Sequence, residues 1–365
     1  MKLALRPKSL AQPNRKRLPT PFVLPALGCL LLIVIGIAVS FGSTAIPLPV
    51  VAQVLLNGTG IFHFAPSWDM TIDVIIWQIR TPLVIGVALL GAALSVAGAL
   101  FQGMFRNPLA DPYLLGTSSG AALGAAIAFI LPIDTFAGFF LPLTTILAFI
   151  GAMLTVLFVY AIARIGAGGQ TPVVTLLLAG VVVNAILVAC QTLILTLRPP
   201  GEVGVYQSLF SWLSGGVSVT SWTTLGVIAL FIAGGLIAAF ALAGVLNVFA
   251  LGEEHAAHLG LYVEWYKFII VVVASLLTAA AVSISGLIGF VGLVIPHLMR
   301  LLLGPSHRVL VLATALGGAV FLVLADLLAR TLLAPTVLPV GIFTAFVGAP
   351  FFLYLLRRSK RAYRW

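Results

Sequence analysis

Charge is what this sequence has least of. Only 8% of its 365 residues are Asp, Glu, Lys or Arg, while 61% are hydrophobic. A soluble fold could not hide that much apolar surface in a chain of this size. Cysteine is nearly absent too: the 2 present, Cys29 and Cys190, sit inside apolar runs and read as small packing residues. No Gly-x-x-x-x-Gly-Lys-Ser/Thr stretch occurs, so the chain does not bind ATP through a P-loop. No His-Glu-x-x-His occurs either. Glu254-His255-Ala256-Ala257-His258 does place two histidines close together, but in a charged loop. It reads as a solvated helix face, and no metal site is expected. An intramembrane hydrolase needs a nucleophile with a base at depth, and none can be assembled. Carboxylates within the apolar runs are also scarce. Asp326 is the one serious candidate for a coupling-ion site. Arg330, four residues on, offers the simpler account of a local ion pair.

What is present is apolar length. Runs of about 20 residues, enough to cross a bilayer as a helix, recur along the chain. Candidate spans are 22–44, 80–103, 114–131, 140–163, 172–196, 221–246, 266–285, 291–303, 309–330 and 340–356. The eighth is short enough for a partial span. This is the pattern of an all-α polytopic membrane protein. A transmembrane barrel would show short alternating segments instead.

The net charge of +10 does not mark a nucleic-acid surface, because eleven of the 19 basic residues lie in the two tails. Lys2, Arg6, Lys8, Arg15, Lys16 and Arg17 precede the first span; Arg357, Arg358, Lys360, Arg361 and Arg364 follow the last. Cytoplasmic segments retain Lys and Arg, so both termini are expected inside and the number of spans even. A long, proline-containing basic tail before a long apolar run argues against a cleaved signal peptide. The loops agree. The expected outside loop 45–79 holds Asp69 and Asp73 without a basic residue, and the next outside loop holds Asp134. The expected inside loops hold Arg106, Arg164 and Arg308.

The chain also repeats itself. Leu89–Ser118 lies over Leu277–Ser306 without a gap, matching Ser95, Gly98, Pro108, Gly116 and Ser118 to Ser283, Gly286, Pro296, Gly304 and Ser306. An odd number of spans separates the copies, so they run in opposite directions, as in transporters built from inverted repeats. The expected organisation is a basic tail over 1–21, a five-helix repeat over 22–196, an extracytoplasmic connection over 197–220, a second five-helix repeat over 221–356, and a basic tail over 357–365. Gly86, Gly91, Ala92, Ala93, Gly98, Gly120, Gly124, Gly317 and Gly318 suit close helix packing.

Three sets of residues carry functional expectations. The first is the longest inside loop between spans, 247–265, where Gly252 and Gly260 bracket a short helix. Glu253 and Glu254 open that helix, and Ala256 and Leu259 fall on its apolar side. It fits either a partner's groove or the bilayer surface. The second is Arg80, Arg198 and Arg330, basic residues at outer helix ends. They are either interfacial anchors or an anionic partner's contacts. The third is Asn184 beside Val183 in mid-span, with Gln102 near the inner end of its helix. A polar side chain there faces a water-filled pathway or another helix.

Several stretches together resemble the permease family of ATP-driven importers for iron-siderophores, haem and vitamin B12. They are Trp77-Gln78-Ile79-Arg80-Thr81-Pro82; Gln102 with Arg106-Asn107-Pro108-Leu109-Ala110-Asp111-Pro112; Leu178-Ala179-Gly180 with Asn184; Leu251-Gly252-Glu253 to Leu259-Gly260; Gly286 to His297 with Arg300; and Ala325-Asp326 with Arg330, then Leu338-Pro339-Val340-Gly341 and Gly348-Ala349-Pro350-Phe351-Phe352. The resemblance implies ten helices in two inverted repeats, a homodimer with a central pathway, and two cytoplasmic ATPase subunits that hold the ATP and magnesium. It also implies an extracytoplasmic binding protein and a metal-chelate cargo in the bacterial cytoplasmic membrane. No cofactor is expected on this chain. Glu253 to Gly260 would dock into the ATPase, and Arg80 and Arg330 would receive acidic residues of the binding protein. Many relatives carry a second arginine where Leu83 stands, so one contact is missing or moved, with Arg198 the replacement. Ferric siderophore or haem is favoured over cobalamin as cargo because that branch is the broadest. The rival reading is an ion-coupled secondary transporter using Asp326; a structural membrane scaffold conflicts with the repeat.

Overall fold

A computed structural model describes residues 20–42, 44–62, 64, 68–131, 141–197, 203–219 and 221–360. Its helices are α1 (Thr20–Ser40), α2 (Leu48–Gly58), α3 (Met70–Asp73), α4 (Thr81–Met104), α5 (Thr117–Ile130), α6 (Leu143–Gly166), α7 (Val173–Thr196), α8 (Val203–Leu213), α9 (Trp222–Phe249), α10 (Glu253–His258), α11 (Val263–Ser285), α12 (Val291–Leu303), α13 (His307–Thr331) and α14 (Val340–Lys360). A π-helical run, Val74–Arg80, joins α3 to α4, so Met70–Met104 is one 35-residue helix. Among the described residues there is no strand. Seven helices are long and apolar enough to cross a membrane; α5, α12 and the Val340–Tyr354 part of α14 are shorter apolar helices. Each of the ten expected spans falls on one of these.

The differences lie at the edges. The expected outer loop 45–79 contains α2, α3 and the π run, and the connection 197–220 contains α8. The last helix runs on to Lys360, so the basic segment expected from 357 begins as helix. Arg198, Asp134 and most of both tails lie outside the described residues.

Helix α4 is the centre of the bundle and packs on α13, α11, α9 and α12. Glycine makes this possible. A Cβ on Gly91 would meet the Gly318 carbonyl, and one on Gly98 would meet the Gly292 backbone. Backbones that touch this way replace the hydrophobic drive that lipid does not supply. Ser95 lies in the same seam, its hydroxyl donating to Gly91 O at 2.7 Å and Thr314 O at 2.9 Å.

The two halves share an order of spans, but the gapless residue match does not superimpose like elements. Gly116 caps the start of α5, whereas Gly304 lies between α12 and α13. Pro108 stands in a loop, while its counterpart Pro296 is inside α12. The second half breaks its chain earlier. Residues 286–290 leave helical geometry inside the bundle, with Gly286 and Phe290 both at positive φ, 62° and 68°. Unwound backbone at membrane depth must find internal partners. Tyr113 supplies two, its hydroxyl donating to Ile288 O at 2.9 Å and accepting from Ile288 N at 3.2 Å. Ser218 N donates to Ile284 O at 3.0 Å.

Candidate functional site

Among the described residues the expected functional positions fall at three places, the Arg80 end of the bundle, the α10 end and the middle of α7, with Gln102 apart from them on α4.

At the first, the π run decides where Arg80 points. A π segment leaves backbone carbonyls without their usual α partner. Here the Thr81 hydroxyl donates to Ile76 O at 2.6 Å and the Trp222 indole donates to Trp77 O at 2.9 Å. Arg80 is 5% exposed. Its guanidinium donates to Val39 O at 2.9 Å and Ser40 O at 3.0 Å in the last turn of α1, where carbonyls lack an intrahelical partner, and to Thr44 O at 2.6 Å just beyond it. Arg330 joins the same cap. Its Nε donates to Asp326 Oδ2 at 2.8 Å and Nη2 donates to Ala38 O at 3.3 Å. The two arginines thus meet at the α1 C-terminus, where positive charge is favoured. The Asp326–Arg330 ion pair expected from their spacing is present. Beside it is a cavity of about 330 Å3, lined by Leu83, Ser218, Asp326, Arg330 and Leu338. Leu83, where the family resemblance implies a second arginine, is therefore part of its wall.

At the opposite end, α10 is a single well-terminated turn and a half. Gly252 precedes it at φ 110° and Gly260 follows it at φ 85°, a backbone region that other residues rarely adopt. Leu261 N donates to Ala256 O at 3.1 Å and Gly260 N to Ala257 O at 2.9 Å, which is the Schellman pattern. Glu253 and Glu254 occupy the first turn, where the helix dipole favours them. Ala256 faces inward and is fully buried. Leu259 faces outward, with Leu251, Tyr262 and Trp265. The apolar side expected of this helix is therefore divided between the bundle and the surface. Among the described residues no three His, Cys, Asp or Glu side chains converge to hold a metal.

A hub that sequence reasoning missed holds α10 in place. Lys267, on α11, is 5% exposed. Its Nζ donates to Glu253 Oε2 at 2.5 Å, Glu264 Oε1 at 3.1 Å and Thr171 O at 3.3 Å. The Thr171 hydroxyl donates to Glu264 in turn. Thr171 lies just before α7, so one ammonium links α10, α11 and the entry to α7. The signal was a lysine inside the first turns of an apolar span, three residues after a glutamate.

Helix α7 packs on α5 and α6. Val183 is buried against them, while Asn184 is exposed on the protomer surface with Leu178, Val181 and Ile186. Gln102 is elsewhere. It is 2% exposed on α4, its Nε2 donating to Gly292 O and Leu293 O at 3.2 Å and its Oε1 accepting from Arg300 Nη1 at 3.1 Å. The structure does not bring Gln102 and Asn184 together.

The FecCD transport family matches residues 30–358, which takes in almost every described helix. The chain belongs to that family. A cobalamin import system permease of Halobacterium salinarum is 43% identical over 80% of this chain and 76% of its own length. An iron(3+)-hydroxamate import system permease of Bacillus subtilis is 39% identical over 91% of this chain and 82% of its own. A solved ABC transporter assigned to the metal-chelate type, in an inward-facing conformation, superimposes with a TM-score of 0.75 and 28% identity. That match covers 93% of this chain and 99% of the other. As a FecCD member, the chain is a multi-pass membrane transport subunit.

Proposed function

We propose that this chain is the translocation subunit of an ATP-binding-cassette importer for a metal chelate. The observation that carries the reading is the family match across the whole ten-span bundle. Ferric siderophore or haem remains the favoured cargo, as the broadest branch, and cobalamin the alternative; relatives named for cobalamin and for iron-hydroxamate are 43% and 39% identical to the chain.

In this reading the α10 end and both termini face the cytoplasm of a bacterial cell, consistent with the basic tails. Two ATPase subunits, which hold ATP and magnesium, dock there. Glu254 and Leu259 meet the ATPase, while Gly252, Glu253, Ala256 and Gly260 set the position of α10. Lys267 then carries displacement of α10 to the start of α7. A second copy of the chain lies against α7. The support is Asn184 on an exposed apolar face. An amide facing lipid is costly, whereas one facing a pathway between two copies is solvated. Val183 and Asn184 would line that pathway, and Gln102 would position its inner end through α12. The binding protein docks at the Arg80 end. Arg80 and Arg330 commit donors to the end of α1, to Thr44 and to Asp326, so they attract its carboxylates chiefly through their field, with Arg198 adding to it.

Reconstitution into proteoliposomes with the ATPase and binding protein tests this. ATP-dependent uptake of a ferric hydroxamate, haem or cobalamin is the expected outcome. Uptake driven by an ion gradient without ATP would overturn it and return Asp326 to the centre of the mechanism.

A further inference from the structure

We propose that the cavity among the α10-side ends of α4, α9, α12 and α13 binds a glycerophosphate group, the headgroup chemistry of phosphatidylglycerol. The cavity is about 460 Å3. Arg106, Arg300 and His307 line it, and no Asp or Glu does. Arg300 gives one N–H to Gln102. A guanidinium has five such donors, so others remain for a ligand. Arg106 makes no ion pair among the described residues and sits at φ 51°, an uncommon conformation for a residue other than glycine. Strained backbone of this kind persists where the surroundings hold a side chain in place.

His307 makes the site more than a positive hollow. It is 5% exposed. Its backbone N–H donates to Asn247 Oδ1 at 2.9 Å, and its Nδ1 lies 2.9 Å from the same oxygen. A carbonyl oxygen only accepts, so Nδ1 carries the proton and Nε2 presents a lone pair. That Nε2 is buried without a partner, against Gly103 in the cavity wall. The occupant must therefore bring negative charge for two guanidiniums and a hydrogen-bond donor for the imidazole. A phosphodiester bearing a glycerol hydroxyl has both. Phosphatidylcholine has neither net negative charge nor a donor, and phosphatidylethanolamine lacks the net charge. Gln102, Gly103 and His297 also line the cavity, and the walls formed by Pro108, Ala250 and Pro305 are apolar and suit the glycerol backbone. Basic pockets between transmembrane helices on the cytoplasmic side are recognised sites for anionic headgroups. Only the leaflet rests on the orientation proposed above; the chemistry of the cavity does not.

Native mass spectrometry and thermal unfolding of the detergent-purified full chain test the proposal. The probes are short-chain phosphatidylglycerol, short-chain phosphatidylcholine and free glycerol 1-phosphate. Phosphatidylglycerol should be retained and raise the melting temperature, and phosphatidylcholine should do neither. Arg106 is exposed, so Arg106→Gln should fold, and it should weaken phosphatidylglycerol about tenfold, the worth of one charged hydrogen bond. Arg164→Gln, exposed near the same end, should change nothing. Competition by glycerol 1-phosphate would identify a soluble anion as the source, and its absence would identify the lipid. Equal retention of both lipids, or indifference to Arg106→Gln, would overturn the site. So would an Arg106→Gln variant that loses only ATPase binding, since the cavity would then be a protein contact.

Discussion

Helices α4 and α7 are each 24 residues long and predominantly apolar, yet they live in opposite surroundings. In an 18-residue apolar stretch of the span containing α4, 83% of residues are buried within the chain, against 17% in α7. Hydropathy does not separate them; α7 is slightly the more apolar. Small residues do. Helix α4 carries Gly91 and Gly98, each with another helix's backbone where a Cβ would stand, and Gly86 and Gly103, which face the side chains of Val219 and of His307 and Leu246. Helix α7 carries Gly180 alone, set against Leu114 in the turn before α5. In a bilayer, an apolar face says only that a helix is not in water. Glycine at a fixed face says that another backbone is there. The protomer is thus built around α4 and presents α7 outward, to lipid or to a second copy.

The largest effect should come from filling the α4 seam. Gly98→Leu would drive a side chain into the Gly292 backbone, which cannot yield as a side chain end would. The expected loss is at least about 3 kcal/mol, since overpacking at a backbone contact is poorly relieved. Thermal unfolding and size-exclusion profiles in detergent would show it. Leu178→Ala on exposed α7 should stay within about 0.5 kcal/mol in the same assay. If the two variants behave alike, the contrast between the helices is not one of packing.

The next effect concerns the link between the two ends of α7's environment. Lys267→Met removes the ammonium that ties Glu253 to Glu264 and Thr171. Both carboxylates are partly exposed, at 41% and 35%, so water relieves part of the loss. About 2 kcal/mol is expected. Coupling should suffer more than stability. ATP hydrolysed per chelate imported should rise, while ATPase subunits still bind. An unchanged ratio would make the hub a purely local brace.

The contrast also explains what the sequence could and could not tell. Apolar runs sufficed to place the ten expected spans on helices, because run length is a local property. Helices α2 and α8 were missed because 11 residues fall below span length and lie in stretches expected as loops. The cap of α1 was also out of reach. Arg80 stands out in sequence as a basic residue at an outer helix end, but its acceptors lie 36 to 41 residues earlier. Arg330 reaches an acceptor 292 residues away. Nor did composition show that Ala256 points inward and Leu259 outward, since both are apolar and only the packing of α9 and α11 chooses between them.

A smaller effect should follow at the Arg80 end. Arg80→Gln removes the donor to Val39 O and Thr44 O and one of two donors to Ser40 O, and should lower stability by about 1–2 kcal/mol. Hydrogen exchange should rise at residues 41–46, after the end of α1, more than elsewhere. Association with the binding protein should slow, and wild-type association should weaken with added salt, because the field of a rim charge acts mainly on encounter and is screened by ions. Faster exchange with unchanged association would leave Arg80 a structural cap alone.

The smallest effect on stability, and the sharpest on the comparison itself, should come from cysteine scanning of α7. Cys29 and Cys190 are both exposed and must first become serine. Single cysteines at 181, 182, 184, 186 and 188 sample a helix in which successive residues turn by about 100°. Positions 181, 184 and 188 then share one side, next to the buried edge marked by Gly180 and Val183, and 182 and 186 share the opposite side. Each substitution should change the melting temperature little, because none removes a buried contact. Reactivity should divide the two sides. If α7 lines a water-filled pathway between two copies, a charged maleimide should label 181, 184 and 188, and nucleotide on the ATPase should change their rates. The 182 and 186 side should stay unreactive, since a charged reagent does not enter lipid. Uniform protection would mean that α7 is exposed only to lipid and that Asn184 is solvated in some other way. Uniform labelling would mean that no second copy covers either side. Either result would remove the dimer pathway from α7 while leaving α4 and its glycines untouched.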